Sequence, residues 1–191
     1  MTHRQLVDSA YRWLLGPAGC GFAFRELVSV NGTGEIPDVI GFKDRALHTV
    51  VIECKVSRHD FFADQKKRHR SGNPAYNPMG RYRFYATPRA MVRIDELPGR
   101  WGLLEVNKHG TLRMAHNPYN PHGGNMWSGG FDDHNRDAER AMMYSALRRL
   151  HIRGHIESIY NLADVIKKPQ RASGSEAHSA NGSNTSDDVR G

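Results

Sequence analysis

Ile36-Pro37-Asp38-Val39-Ile40-Gly41-Phe42, followed after the polar tip Lys43-Asp44-Arg45 by Leu47-His48-Thr49-Val50-Val51-Ile52-Glu53-Cys54-Lys55-Val56, is the stretch that decides the fold. Both runs are short, rich in β-branched residues and flanked by turn formers. They read as neighbouring strands, Ile36 to Phe42 and Leu47 to Val56, buried in a sheet. Three ionisable residues nevertheless lie inside them. Burying an Asp, Glu or Lys is costly unless the charge is paired or bound to a metal. Asp38, Glu53 and Lys55 therefore call for a physical reason.

Strand alternation supplies one. Residues i and i+2 share a face, so Glu53 and Lys55 project together while Cys54 faces away. A tight hairpin around Asp44-Arg45 would set Asp38 opposite Val51, diagonal to Glu53 on the same face, with Cβ atoms about 7–8 Å apart at most. Two such carboxylates can share a hard cation. Mg²⁺ fits, with Mn²⁺ able to substitute, and the backbone carbonyl of Cys54 offers a further oxygen. Lys55 would stand beside a metal-bound water and a phosphate, where an ammonium stabilises developing negative charge. These are the requirements of phosphodiester hydrolysis, with Asp38, Glu53 and Lys55 catalytic. The competing explanation is a structural ion-pair network in a hairpin.

Outward from this stretch, Thr2 can cap a helix carrying Leu6, Val7, Ala10, Tyr11 and Leu14 on one face, ended by Gly16-Pro17. Phe22 to Val30 alternates, with Phe22, Phe24, Glu26, Val28 and Val30 together. Glu26 on that apolar face either joins the catalytic set or is a strand-edge glutamate paired with Arg25. Ser57 can cap a second helix from Arg58 to about His69. Tyr82 to Ala86, Trp101 to Val106 and Thr111 to Ala115 read as strands. Asp133 or Asn135 caps a helix to about Ile152, with Met142, Met143, Leu147 and Leu150 facing inward, and Ile156 to Ile166 is a last helix. The order α-β-β-β-α-β-β-β-α-α predicts an α/β domain: a central mixed β-sheet flanked by helices, with C-terminal helices. The expected organisation is a core over 1–116, a Gly/Asn/Pro-rich loop over 117–135, helices packed on the core over 136–166, and a disordered tail over 167–191.

The 191 residues suffice for one domain without staples. Two cysteines with no C-x-x-C argue against a disulfide framework or a cysteine zinc site. The start has no secretory h-region and no apolar run reaches membrane-spanning length, so a soluble cytoplasmic protein without a membrane partner is expected. A formal net charge of +7 favours an acidic partner, and nucleic acid is the commonest. The nucleic-acid-binding set expected from the basic run is Gln65, Lys66, Lys67, Arg68 and Arg70, extended by Arg81. A solvated helix end is the bland alternative, as it is for Asp60, Asp64 and Lys67 at helical spacing. Trp127 either stacks on a base or anchors its loop. No phosphate-cradling Gly-rich loop and no H-E-x-x-H occur.

Pro37-Asp38 followed by Glu53-Cys54-Lys55 resembles the PD-(D/E)XK signature of the restriction-endonuclease-like superfamily. A helix before the hairpin, then a helix and strand after it, is the matching context. A narrower similarity runs through Ser57-Arg58-His59-Asp60-Phe61, Ala63-Asp64-Gln65-Lys66, Tyr82-Arg83-Phe84-Tyr85-Ala86-Thr87-Pro88 and Leu97-Pro98-Gly99-Arg100-Trp101-Gly102-Leu103-Leu104. These resemble the MmcB-like DNA-repair proteins of that superfamily, over roughly Phe22 to Pro118. The resemblance implies a restriction-endonuclease-like core and a DNA-directed role. Many members place a further acidic residue on the first helix, where this chain has only Asp8 and Gln5. The expectation is a Mg²⁺-dependent deoxyribonuclease, an endonuclease, in DNA repair or processing. The alternative is a non-catalytic DNA-binding or repair-accessory protein on the same fold. Either is compatible with a homodimer, and with a protein partner docking through 117–166.

Overall fold

The structure is a computed structural model that describes residues 1–30, 32–67, 77–120 and 127–160. Helix α1 (His3–Leu15) begins with a reciprocal cap: Thr2 Oγ1 accepts from the Gln5 amide, and Gln5 Oε1 accepts from the Thr2 amide. Its buried face is Leu6, Val7, Ala10, Trp13 and Leu14. Strands β1 (Phe22–Arg25), β2 (Val39–Lys43) and β3 (His48–Cys54) lead to helix α2 (Arg58–Gln65). Strands β4 (Tyr82–Pro88), β5 (Gly102–Val106) and β6 (Leu112–His116) precede helix α3 (Arg136–Ile152). The six strands form one sheet in sequence order. β3–β4 and β4–β5 pair in parallel; the other pairs are antiparallel. The expected α/β domain with a central mixed sheet and flanking helices is what the chain forms.

One sheet face, with Val39, Val50, Ile52, Cys54, Phe84 and Leu104, is covered by α1. Gly41 allows the close approach there: a Cβ would lie 2.6 Å from Cys20 Sγ and 3.2 Å from Leu14. The other face carries two separate clusters. Ile40, Phe42 and Val51 pack with Ala138 and Met142 of α3. Tyr85 and Leu103 pack with Phe61 of α2 and Trp101. Glu53 alternates with Val51 and pairs in register with Tyr85, so it stands between the clusters and belongs to neither.

Several boundaries and one register differ from the sequence expectation. β1 stops at Arg25, not Val30, because Glu26 turns left-handed with φ +45°. The β2–β3 turn is wider than a two-residue hairpin. Asp44, Arg45 and Ala46 all have positive φ, and Lys43 faces His48 across the strands. Continuing that register past Val39↔Ile52 sets Asp38 opposite Glu53, not Val51. A shift of two residues preserves the face, so the same-face relationship survives the error. The helix expected to reach His69 ends at Gln65. Leu147 and Leu150, expected inside, are 49% and 38% exposed, because Ala138 and Met142 define the inward face of α3. Asn135 is its N-cap, accepting from the Ala138 amide at 2.9 Å.

Trp127 proves to be an anchor. It stacks on Trp13, meets Tyr82 and Phe84 edge-on or tilted, and lies under the Lys43 ammonium. The chain divides into two units, Met1–Ile156 and Glu157–Gly191. Of the second, Glu157–Tyr160 are described, within a 3₁₀ turn that starts at Ile156. Residues 161–166 of the expected last helix, and the tail over 167–191, lie outside the described residues.

Candidate metal and ion-pair site

Asp38 immediately precedes β2, and its Oδ2 accepts from the Cys54 amide at 2.7 Å. That bond ties the two hairpin arms together at the mouth of the site. Glu53 is the penultimate residue of β3 and Lys55 follows the strand, its own amide donating to the Ala86 carbonyl. Lys55 Nζ lies 3.0 Å from Glu53 Oε2 and 3.4 Å from Asp38 Oδ2. The three residues picked out by the sequence do converge on one point.

A fourth member joins them from α2. Asp64, 1% exposed, places Oδ1 3.4 Å from Lys55 Nζ and 2.7 Å from Lys67 Nζ, and its Oδ2 accepts from the Tyr85 hydroxyl at 2.8 Å. The bland alternative of a solvated stripe therefore does not hold for Asp64. Its partner in that stripe, Asp60, is outside on the helix cap with Ser57. The available signal was Phe61 three residues earlier, which puts Asp64 on the apolar face of α2.

Burial pulls the Lys55 pKa down, but the charges of Glu53, Asp38 and Asp64 together outweigh it and hold it above the ordinary lysine value. Lys55 is thus an ammonium throughout the neutral range. Cys54, behind the site, has its thiol pushed up by burial first, then by Asp38 and Glu53. It is no nucleophile at neutral pH.

The ligand-type atoms that cluster at metal-binding separation are those of His3, Glu26 and Asp38, all within 4.8 Å of one another. His3 Nε2 is 3.5 Å from Glu26 Oε1 and 3.6 Å from Asp38 Oδ1. The left-handed turn at Glu26, with its amide on the Asp38 carbonyl, brings that side chain here. Glu26 therefore joins the site from a turn, and not from a strand face as the alternation suggested. Arg25 pairs with Asp8 and not with Glu26. His3 was missed, although its spacing to Leu6, Val7 and Ala10 puts it on the inward face of α1. Two carboxylates and an imidazole make a donor set that fits a divalent cation, with His3 at 41% and Glu26 at 56% side-chain exposure leaving access from solvent. Among the described residues, Glu53 is not part of this group: it faces the Lys55 ammonium.

The expected nucleic-acid set is only partly assembled. Gln65 Nε2 donates to the Glu96 carbonyl at 3.0 Å and so braces the 94–96 turn. Lys66 is exposed at the α2 C-cap, and Lys67 neutralises Asp64. Arg81 pairs with Asp132 at 3.0 Å and tethers the loop before α3. Arg68 and Arg70 lie outside the described residues.

No family model matches this chain, and no curated protein matches it. Its fold is similar to a solved structure, the SPO1766 protein of unknown function from Silicibacter pomeroyi. The likeness covers 85% of this chain and 94% of that one, at 20% identity and a TM-score of 0.53. It shows the fold alone. Among the described residues no helix is long and apolar enough to cross a membrane.

Proposed function

We propose that the chain is a metal-dependent DNA nuclease, an endonuclease of PD-(D/E)XK type related to the MmcB-like proteins. The single observation that carries this reading is the convergence of Asp38, Glu53 and Lys55 at 3.0–3.4 Å, beside a His3–Glu26–Asp38 group spaced for a cation. In this reading His3, Glu26 and Asp38 would hold the cation, while Asp38 Oδ2 accepts from the Cys54 amide. Bound there, Mg²⁺ or Mn²⁺ would supply Lewis acidity toward a phosphate and toward a water. Lys55, held charged by its carboxylates, donates hydrogen bonds to a phosphate oxygen and stabilises charge as it develops. Glu53 and Asp64 orient that ammonium, and Asp64 is itself oriented by Tyr85.

The test is cleavage of plasmid and single-stranded DNA by purified protein in Mg²⁺ or Mn²⁺, beside Asp38→Ala and Lys55→Ala. The reading predicts cleavage in wild type and its loss, by about a hundredfold or more, in both variants. Cleavage that survives both substitutions would overturn it.

One observation favours a second reading, a DNA-binding accessory protein without turnover. Lys55 already pairs with three carboxylates in a largely buried network, as it would in a purely structural cluster. Its mark is salt-sensitive DNA binding that needs no metal, with no product in any metal.

A further inference from the structure

A polar cavity lies away from the acidic cluster. The β2–β3 turn and the start of α3 enclose about 290 Å³, and none of Asp38, Glu53 or Lys55 lines it. One side is apolar, made by Phe42 of β2 and Met143 of α3. The inner end is polar, where His134 and Glu139 are each only 5% exposed. Both are held in place. His134 Nδ1 meets the Phe131 carbonyl at 2.7 Å, while Glu139 Oε1 accepts from Thr49 Oγ1 at 2.7 Å and the Gly80 amide at 2.8 Å. The pair's other polar atoms, His134 Nε2 and Glu139 Oε2, are 3.6 Å apart. At the mouth stand two exposed guanidinium groups, Arg136 and Arg140, with Leu47 as an apolar lip.

We propose that this cavity is a nucleotide subsite. A base lies against Phe42 and Met143, turns an N–H edge to the His134–Glu139 pair, and leaves its phosphate to Arg136 and Arg140. Each part of the ligand follows from one part of the wall. An apolar side takes a ring system by contact, and a carboxylate accepts from ring or exocyclic N–H groups. The guanidinium groups at the rim, of which Arg140 also pairs with Asp137 at 3.2 Å, offer fork-shaped donors to phosphate oxygens. The volume is close to the lower end for ligand clefts, about 300 Å³, which excludes a large ligand and suits one nucleotide. A free nucleotide and a nucleotide within a strand share this chemistry. The inference rests on the proposed DNA function only for the second source.

The experiment is calorimetric titration of the full-length chain in EDTA with dGMP, deoxyguanosine, inorganic phosphate and a short guanine-containing single strand. Wild type, Asp38→Ala and the surface double variant Arg136→Glu/Arg140→Glu are compared. The expected result is equal dGMP binding by wild type and Asp38→Ala, with affinity at least about tenfold lower in the double variant. Deoxyguanosine and phosphate should each bind at least about tenfold more weakly than dGMP. A strand weakened by the same double variant identifies the strand as the source, whereas a strand indifferent to it identifies the free nucleotide. Equal dGMP affinity in wild type and double variant, phosphate binding as tight as dGMP, or no dGMP binding overturns the subsite. Because metal is absent, the two proposals fail separately. Retained dGMP binding without any cleavage removes the nuclease, and cleavage with unaltered dGMP affinity in the double variant removes the subsite.

Discussion

Asp64 Oδ1 lies 3.4 Å from Lys55 Nζ, joining helix α2 to the end of strand β3 through a buried ion pair. Asp64→Asn keeps an acceptor for the Tyr85 hydroxyl but removes the charge facing Lys55 and Lys67. Taking one partner from a buried pair costs about 3 kcal/mol. Urea unfolding of D64N should show that loss as a lower midpoint with an unchanged slope.

The pH dependence of the cluster has a definite sign. The folded pKa of Lys55 is raised above its ordinary 10.5. The stabilisation is therefore fully present below the unfolded value and is lost as pH rises through the folded one. The stability gap between wild type and Lys55→Met should be level from about pH 7 to 10 and narrow only at higher pH. A gap that narrows near neutrality would show that Lys55 is not the ammonium described.

Metal affinity should depend on His3 and Glu26 more than on Glu53. Mn²⁺ binding followed by electron paramagnetic resonance is expected to weaken about tenfold in His3→Ala and in Glu26→Gln. Glu53→Gln, whose carboxylate faces Lys55, should change it less. Equal losses at all three positions would return Glu53 to the ligand set.

Glu96 offers an independent check of the surface electrostatics. The Arg58 guanidinium, with the Arg93 amide, lowers its pKa to about 2. Its contribution to stability is present above the usual glutamate value of 4.5 and fades as pH falls through about 2. NMR titration of the Glu96 carboxyl should find that low value in wild type and a return toward 4.5 in Arg58→Ala.

Packing of α1 on the sheet is tested at Gly41. Its Cβ would meet Cys20 Sγ at 2.6 Å, so Gly41→Ala should cost about 1–3 kcal/mol. Removing the sulfur in Gly41→Ala/Cys20→Ala leaves the gentler 3.2 Å contacts and should recover part of that loss.

Much of this architecture was legible along the chain. Strand alternation placed Glu53 and Lys55 on one face, and the buried charges in apolar strands announced the site. The register could not be read to the residue, because it depends on a turn whose three non-glycine left-handed residues carry no glycine or proline signal. Parity rescued the conclusion, since a two-residue shift leaves Asp38 on the same face.

Local pattern sufficed where a residue answers to its neighbours in sequence. The element order through α3, the Thr2 and Ser57 caps and the Asp38–Glu53–Lys55 convergence follow from period and propensity, while for α3 the sequence offers Asp133 as well as the Asn135 that caps it. Only the tertiary structure decided that Asp64 enters the cluster from α2, that His3 and Glu26 meet Asp38, and that Arg25 pairs with Asp8. Those relationships join residues brought together by packing, where the low dielectric of the interior strengthens the interaction of charges that are near in space however far apart they lie in sequence. No spacing along a single strand or helix encodes them.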